Sequence, residues 1–498
     1  MELTGKKVTI VGLARSGAGA ARLLAGMGAD VTVTDRKSEQ ELPDMLKGLP
    51  STVKLCLGGH PPEIFRDADL IVVSPGVPLD IRPLLDARGK GKRIIGELEL
   101  AYDILQSSQF KVQSREGRVP FIAITGSNGK STTTTLVDHM LRKGGKRTVL
   151  AGNIGNALTE EICAMTMSEE QSAEGGEHEP TSVSPDLTPR SLPDAFVVEV
   201  SSFQLEAIET FRPDIASILN ITPDHLDRYH SMEEYRAAKA GIFANQRPSD
   251  VLVLNADDPG AMHLHETRLR GKADGPKVIF FSREKEVEGI YLKNGDVTAN
   301  IAGFHAPCPM QLVKAADIRI QGVHNLENAM AASAMALLAG CPAQAVIDSL
   351  REFPGLEHRL ELVRELEGVK YINDSKGTNV GAVLKSVESF KEPLILIAGG
   401  RDKAGDFTEL RELVSQKAKA LVLIGEAAGK IRDALGDLTT TVMAQDLRDA
   451  VRTARGMADA GDVVLLSPAC ASFDMFRDFE DRGRQFKQIV MDLEVAHV

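Results

Sequence analysis

The chain has 498 residues, a formal net charge of −12, 43% apolar and 4% aromatic residues, and no Trp. Such a length exceeds one ordinary core, so roughly two to four domains are expected, and the acidic balance argues against a nucleic-acid partner held through its phosphates while leaving room for a nucleotide in a local cationic pocket. No apolar run is long enough to cross a bilayer, residues 1–12 read as a strand rather than a secretion signal, and the scattered cysteines Cys56, Cys163, Cys308, Cys341 and Cys470 lack metal-binding spacing, which fits a reducing cytoplasm.

Residues 6–11 read as a buried strand, followed by Gly12-Leu13-Ala14-Arg15-Ser16-Gly17 and a small-residue helix to about residue 25. A second strand, 30–34, runs into Asp35. This is a Rossmann-like βαβ opening with a carboxylate at the end of its second strand. Leu13-Ala14 interrupts the Gly-x-Gly pair of a dinucleotide site, so NAD is the weaker expectation and another pyrophosphate ligand such as a UDP-sugar fits equally well. Strands at 69–73, ending in Ser74-Pro75-Gly76-Val77, and at 94–95 complete a first domain of residues 1–96.

The second unit, residues 97–355, is organised around one stretch. An apolar strand at 121–124 stops at Thr125-Gly126-Ser127-Asn128-Gly129-Lys130-Ser131-Thr132, and 133–141 reads as a helix. Glycines there let backbone N–H groups approach phosphate oxygens, Lys130 would sit on the β/γ-phosphates, and the Ser131 hydroxyl would serve Mg²⁺. The Gly-x-x-Gly-Lys-Ser spacing is two residues shorter than the usual phosphate loop, so the strand before and the helix after carry the reading. Further apolar runs at 148–150, 196–200, 215–219 and 251–254 end in Gly152-Asn153-Ile154-Gly155, Ser201-Ser202-Phe203-Gln204, Asn220 through Asp227, and Asn255-Ala256-Asp257-Asp258, with Glu199 inside the run 196–200. Parallel strands present ligand groups at their carboxyl ends, and so many polar ends around a phosphate loop point to one site. Residues 166–194 are acidic, rich in Ser, Pro and Gly, and without apolar periodicity, which predicts a disordered surface insertion. Runs at 290–293 and 297–301 around Asn294-Gly295 predict a hairpin, and Gly322-Val323-His324-Asn325-Leu326-Glu327-Asn328 opens an Ala-rich helix at 329–339. Asn325 suits a helix cap; Asn328, one turn on, does not.

The third unit, residues 356–498, has apolar runs at 371–372, 394–398, 420–424 and 463–466, ending in Asn373-Asp374-Ser375-Lys376, Gly399-Gly400-Arg401-Asp402-Lys403, Gly425-Glu426 and Ser467-Pro468-Ala469-Cys470-Ala471-Ser472. The alternation predicts another doubly wound sheet. The fold class is therefore three-domain α/β: a Rossmann-like N-terminal domain, a central phosphate-loop parallel sheet and a Rossmann-like C-terminal domain.

The phosphate loop, Gly152 through Gly155, Glu199 through Leu205, Asn220 through Arg228, His324-Asn325, His358-Arg359 and Asn373 through Lys376 together resemble the Mur ligase family, the ATP-dependent ligases that build the stem peptide of peptidoglycan. The resemblance covers the chain outside residues 166–194. Ser467 through Asp474 with Phe479-Glu480-Asp481-Arg482-Gly483 is similar to the member that adds D-glutamate, and the Asp-Asn-Pro-Arg motif of the diaminopimelate- or lysine-adding members is absent. The resemblance implies UDP-N-acetylmuramoyl-L-alanine, D-glutamate and ATP as substrates, an acyl-phosphate intermediate, a pair of Mg²⁺ ions, and a monomer acting in the cytoplasm. It implies Lys130, Glu199, Asp224, His225 and Lys239 as catalytic residues, with Ser131, Glu199, His225 and a carbamylated Lys239 as metal ligands. Sequence alone reads Lys239 as an exposed helical lysine. For ATP it implies Gly126, Ser127, Asn128, Gly129, Lys130, Ser131, Thr132, Asn325, Asn328, Arg359 and Asp374. For the UDP-sugar it implies Ser16, Asp35, Arg36, Gly76 and Asn153, and for D-glutamate Thr378, Lys403, Ser472, Phe473 and Phe479. Arg401 stands where the family member carries an acidic residue, which leaves the contacts around Lys403 open. Alternatives are a Mur-family or folate-polyglutamate-type amide ligase with another amino acid, an NAD dehydrogenase, which Leu13-Ala14 disfavours, and a nucleotide-binding regulator, which the set Glu199, His225 and Lys239 disfavours.

Overall fold

A computed structural model describes residues 2–107, 118–167, 192–226, 228–301, 308–320, 322–403 and 405–494. The predicted insertion falls largely, and Asp227 wholly, outside the described residues.

The first sheet comprises β1 (Lys7–Val11), β2 (Asp30–Asp35), β3 (Lys54–Leu57), β4 (Leu70–Val73) and β5 (Arg93–Gly96), all parallel, in the order β3-β2-β1-β4-β5. The order reverses between β1 and β4, which opens a crevice at their carboxyl ends. Small residues let the helix Arg15–Gly26 lie close to this sheet: a Cβ on Gly17 would come within 2.1 Å of the Gly12 carbonyl oxygen.

The helix Glu97–Leu105 joins the first two sheets and is buried along nearly its whole length. Two acidic side chains lie buried there, Glu99 held by protein donors and Glu97 with one oxygen unpartnered and its pKa raised by burial. Glu99 accepts the backbone N–H groups of Glu209, Thr210 and Phe211. One oxygen of Glu97 accepts from the backbone and hydroxyl of Thr159.

The central sheet runs β14-β13-β12-β11-β10-β9-β6-β8-β7. Its strands are β6 (Phe121–Thr125), β7 (Thr148–Gly152), β8 (Ala195–Glu199), β9 (Ile215–Ile218), β10 (Val251–Asn255), β11 (Lys277–Ser282), β12 (Gly289–Lys293), β13 (Asp296–Asn300) and β14 (Met310–Lys314). Strands β6 to β12 are parallel, and β13 and β14 add antiparallel. The predicted hairpin is β12–β13, with Lys293 opposite Asp296. Strands β6, β8 and β9 are buried on both faces, which explains their continuous apolar runs.

The third sheet is β15-β16-β20-β17-β18-β19, from β15 (Glu361–Leu366), β16 (Val369–Asn373), β17 (Leu394–Gly399), β18 (Ala418–Ile424), β19 (Thr440–Met443) and β20 (Val463–Leu466). Only β15 is antiparallel to its neighbour. One apolar cluster runs unbroken from the first sheet into the second, through Leu98, Tyr102, Phe121 and Phe211. The clusters of the third sheet draw on residues from Leu360 onward alone.

Candidate functional site

The loop after β6 is shaped by Gly129, at φ +83°, where an added Cβ would lie 2.1 Å from Asn328 Oδ1. The helix Lys130–Lys143 then starts without a side-chain cap, so its first N–H groups are suited to an anion. The segment after β9 braces the loop: Ser127 N donates to Asn220 O at 2.9 Å, Asn128 N to Asn220 Oδ1 at 2.8 Å, and Ser127 Oγ to Thr222 O at 2.9 Å. Lys130 Nζ folds back onto the carbonyls of Gly126 and Ser127 at 2.9 and 3.0 Å.

Glu199 ends β8 and is 2% exposed. Its Oε1 accepts from Asn153 Nδ2 at 2.7 Å, whereas Oε2 is buried without a hydrogen-bond partner. An ionised oxygen left so is costly unless a cation joins it. The reading of Lys239 as an exposed helical lysine is corrected by the structure: it is 1% exposed, with Nζ donating to Gly126 O at 2.9 Å and lying 4.5 Å from the Tyr235 ring centre. Burial first, and then the Lys130 charge, hold its pKa well below the ordinary lysine value. His225 sits at φ +56°, a strained setting for a non-glycine residue. Asp224 fixes it through the main chain, accepting from His225 N at 3.0 Å, while the ring Nε2 lies 3.7 Å from Asp224 Oδ2. Among the described residues no group of three or more His, Cys, Asp or Glu side chains is disposed to hold a metal ion; the orphaned Glu199 oxygen is the feature that fits one.

The third domain closes the other wall. Arg359 Nη2 donates to Ser131 Oγ at 2.8 Å. Asn379 Nδ2 reaches Asn128 Oδ1 at 3.3 Å and Asp224 Oδ2 at 3.2 Å, and Lys403 Nζ is 3.8 Å from Asp224. Asp374 is buried and accepts from Ser386 and Ser467, each at 2.7 Å; burial lifts its pKa to about 6. Lys376 Nζ lies 3.6 Å from the Phe479 ring centre, and burial lowers its pKa to about 7.

One cleft of about 240 Å³ brings together Ser127, Asn128, Gly129, Lys130, Ser131, Thr132, Asn153, Glu199, Asp224, His225, Asn325, Asn328, Arg359, Asp374, Thr378 and Lys403. Gly126 and Lys239 do not line it but bond to each other, Lys239 Nζ donating to Gly126 O. Phe479 underlies Lys376, and the buried Ser472 and 62%-exposed Phe473 sit on a segment tied to the Lys403 loop by paired Arg401–Ala471 backbone bonds. Arg401 itself turns outward to Glu426, at 3.0 and 3.2 Å, so it leaves Lys403 facing the cleft. Ser16, Asp35, Arg36 and Gly76 do not line this cleft; they lie at the carboxyl ends of β1, β2 and β4, where Asp35 accepts from Leu13 N at 2.7 Å and Lys37 N at 2.8 Å. Asn220, in one of the polar strand ends read from the sequence, lines the cleft, whereas sequence reading missed Glu327, Asn379, Lys385 and Ser386, which line it as well. Asn379 caps the helix Val380–Glu388, and a cap is all that its position in the sequence suggests.

Compared with known protein families, residues 6–96 match the Mur ligase MurD-like N-terminal domain, 124–336 the Mur ligase middle domain, and 358–470 the Mur ligase glutamate ligase domain. The chain is 44% identical over 495 residues to the UDP-N-acetylmuramoylalanine–D-glutamate ligase of Geotalea uraniireducens, covering 99% of each. It is 41% identical over 499 residues to that of Clostridioides difficile, covering 99% of this chain and 100% of the relative. Among solved structures, UDP-N-acetylmuramate-alanine ligase MurC of Thermotoga maritima aligns with a TM-score of 0.55 at 21% identity, covering 98% of this chain and 99% of that one. MurF ligase of Thermotoga maritima in complex with ADP aligns with a TM-score of 0.56 at 15% identity, covering 92% and 95%. These two share the fold.

Proposed function

The chain belongs to the Mur ligase family, and we propose on that premise that it joins the amine of D-glutamate to the L-alanyl carboxylate of UDP-N-acetylmuramoyl-L-alanine, using ATP, in peptidoglycan synthesis. The observation that carries this reading is the single cleft: a phosphate loop from the central domain faces Arg359, Asp374 and Lys403 from the third.

The alanyl carboxylate oxygen attacks the γ-phosphorus of ATP, and ADP leaves. The glutamate nitrogen then attacks the acyl carbon of the acyl phosphate, loses a proton and expels phosphate. Both steps gather anions, so cations must offset their repulsion. Lys130 turns from the loop carbonyls to the β/γ-phosphates. Arg359 swings off Ser131 and Asp374 receives the ribose, beside Asn325 and Asn328 for the base. Lys403 and Thr378, with Ser472, Phe473 and Phe479, hold the D-glutamate. Ser16, Asp35, Arg36 and Gly76 hold the uridine diphosphate in the β1/β4 crevice, and Asn153 holds the alanyl end.

Ser131, Glu199, His225 and Lys239 would hold Mg²⁺, which supplies charge neutralisation around the transferring phosphoryl group. Lys239 would do so as a carbamate: its neutral amine adds to CO₂ and loses a proton, leaving an anion. No helix among the described residues is long and apolar enough to cross a membrane, and we place the reaction in the cytoplasm.

A coupled ADP-release assay tests the reading. Turnover is expected only with UDP-N-acetylmuramoyl-L-alanine, D-glutamate, ATP and Mg²⁺ together. Equal turnover with L-glutamate or meso-diaminopimelate would overturn it.

A further inference from the structure

Glu327 lies on the helix Val323–Leu338, lines the cleft and is 6% exposed. One of its oxygens accepts from Arg283 Nε at 3.0 Å, and the other from Lys385 Nζ. The two cations come from different domains. Arg283 follows β11 in the central domain, and its backbone N–H is fixed by Asp257 Oδ2 at 2.6 Å. Lys385 belongs to the third domain, on the helix Val380–Glu388. That helix meets the central domain at both ends as well. Its cap Asn379 bonds Asn128 and Asp224, and just beyond it Ser389 Oγ accepts from Val323 N at 3.3 Å. Of these three described contacts only Lys385–Glu327 pairs opposite charges.

We infer that Glu327 is a positioning residue that clasps the third domain onto the cleft, with Lys385 as the bond made on closure and Arg283 as a permanent counter-charge that keeps the clasp reversible. The inference rests on reading the cleft as the ATP site. When the third domain swings away, Glu327 loses Lys385 but keeps Arg283, so opening never strands an unpaired buried carboxylate. Arg283 also repels Lys385 and shares its partner, which weakens the closing bond. The two cations therefore act on the closure equilibrium in opposite directions, although both pair with the same carboxylate. A salt bridge of purely structural role would give losses of the same sign from either side. Lys385 shares a short stretch with Lys376, Thr378 and Asn379, so its seating sets where those cleft residues stand.

The test places two fluorophores on the full chain, one on the central and one on the third domain, and titrates adenylyl imidodiphosphate with Mg²⁺ while following energy transfer. Lys385→Met should raise the concentration for half-closure about fivefold, and Lys385→Arg should restore it. Arg283→Met should lower it by about twofold. In a Glu327→Gln background, Lys385→Met should add nothing further. The inference is overturned if Lys385→Met closes at the wild-type concentration, or if Lys385→Met and Arg283→Met shift closure the same way. Calorimetric binding separates the two failures. An analogue that binds while the variants behave alike defeats the clasp alone, whereas a wild-type chain that binds no analogue defeats the ATP reading and the clasp with it.

Discussion

Lys239 is driven toward its neutral form chiefly by desolvation and then by the neighbouring Lys130 charge, which together outweigh the opposing pull of Asp224 and Glu199. Only the neutral amine adds to CO₂, so the buried position favours carbamate formation where a surface lysine does not. Lys239→Ala should abolish turnover, and a short carboxylic acid in solution should restore part of it. Lys239→Arg should stay inactive, and near wild-type turnover by that variant would overturn the proposed carbamate. Lys376 gives a prediction about stability. Its pKa is lowered to about 7 by burial, against the usual 10.5. The unfolded chain therefore holds more protons than the folded one between those values, so the penalty of burying the charge is complete below the lower value and fades as pH rises through the window. Lys376→Met should raise Tm most at about pH 6 and hardly at all at about pH 10; the reverse order in a thermal-shift series would refute the assignment. The spacing around Lys239 carries little about its burial: Tyr235, one helical turn back, is a local neighbour, but the Gly126 carbonyl that Lys239 meets comes from a segment 113 residues away. Glu199, by contrast, is legible from its place at the end of an apolar run.

At the scale of elements, the strand–loop–helix around Gly129 was readable because each part carries its own rule: an apolar run, glycines at a turn, and a helix that starts uncapped. Gly129→Ala should raise the KM for ATP strongly and destabilise the fold by about 1–2 kcal/mol from the left-handed backbone alone. A further cost comes from the approach to Asn328. Steady-state kinetics and denaturant unfolding check this, and an unchanged KM would show that the loop tolerates a side chain there. Strands β3, β14, β15 and β19 were not read from the sequence, and all four are sheet edges. An edge strand is half solvated, so its apolar run is broken: Lys54 is exposed on β3, as are Gln311 and Lys314 on β14. β11 escaped for another reason. It is apolar and internal but ends in Ser282-Arg283-Glu284-Lys285, an ordinary charged stretch without the glycine or amide cluster that marks its neighbours.

The whole molecule joins its parts in two ways. Between the first and central sheets the apolar core is continuous, and Glu99 draws three backbone N–H groups of the 209–211 segment onto the connecting helix. The third domain keeps its own core and meets the loop through polar side chains: Arg359 on Ser131, Asn379 on Asn128 and Asp224, and Lys403 near Asp224. This division was invisible in the sequence, because contacts between distant segments leave no local pattern. Separating a shared apolar core exposes its whole area to water, whereas polar contacts exchange with water at little net cost. The third domain should therefore rotate as a unit against a rigid pair formed by the other two. On the proposed reading it should do so during each cycle, because Arg359 bonds the Ser131 hydroxyl that this reading gives to Mg²⁺. Adding ATP analogue and UDP-sugar should change the small-angle scattering curve, and a fluorophore pair on the first and central domains should keep its distance while a pair on the central and third domains does not. Scattering curves identical with and without ligands, or a first domain that moves while the third stays fixed, would show that the polar seam is not the hinge.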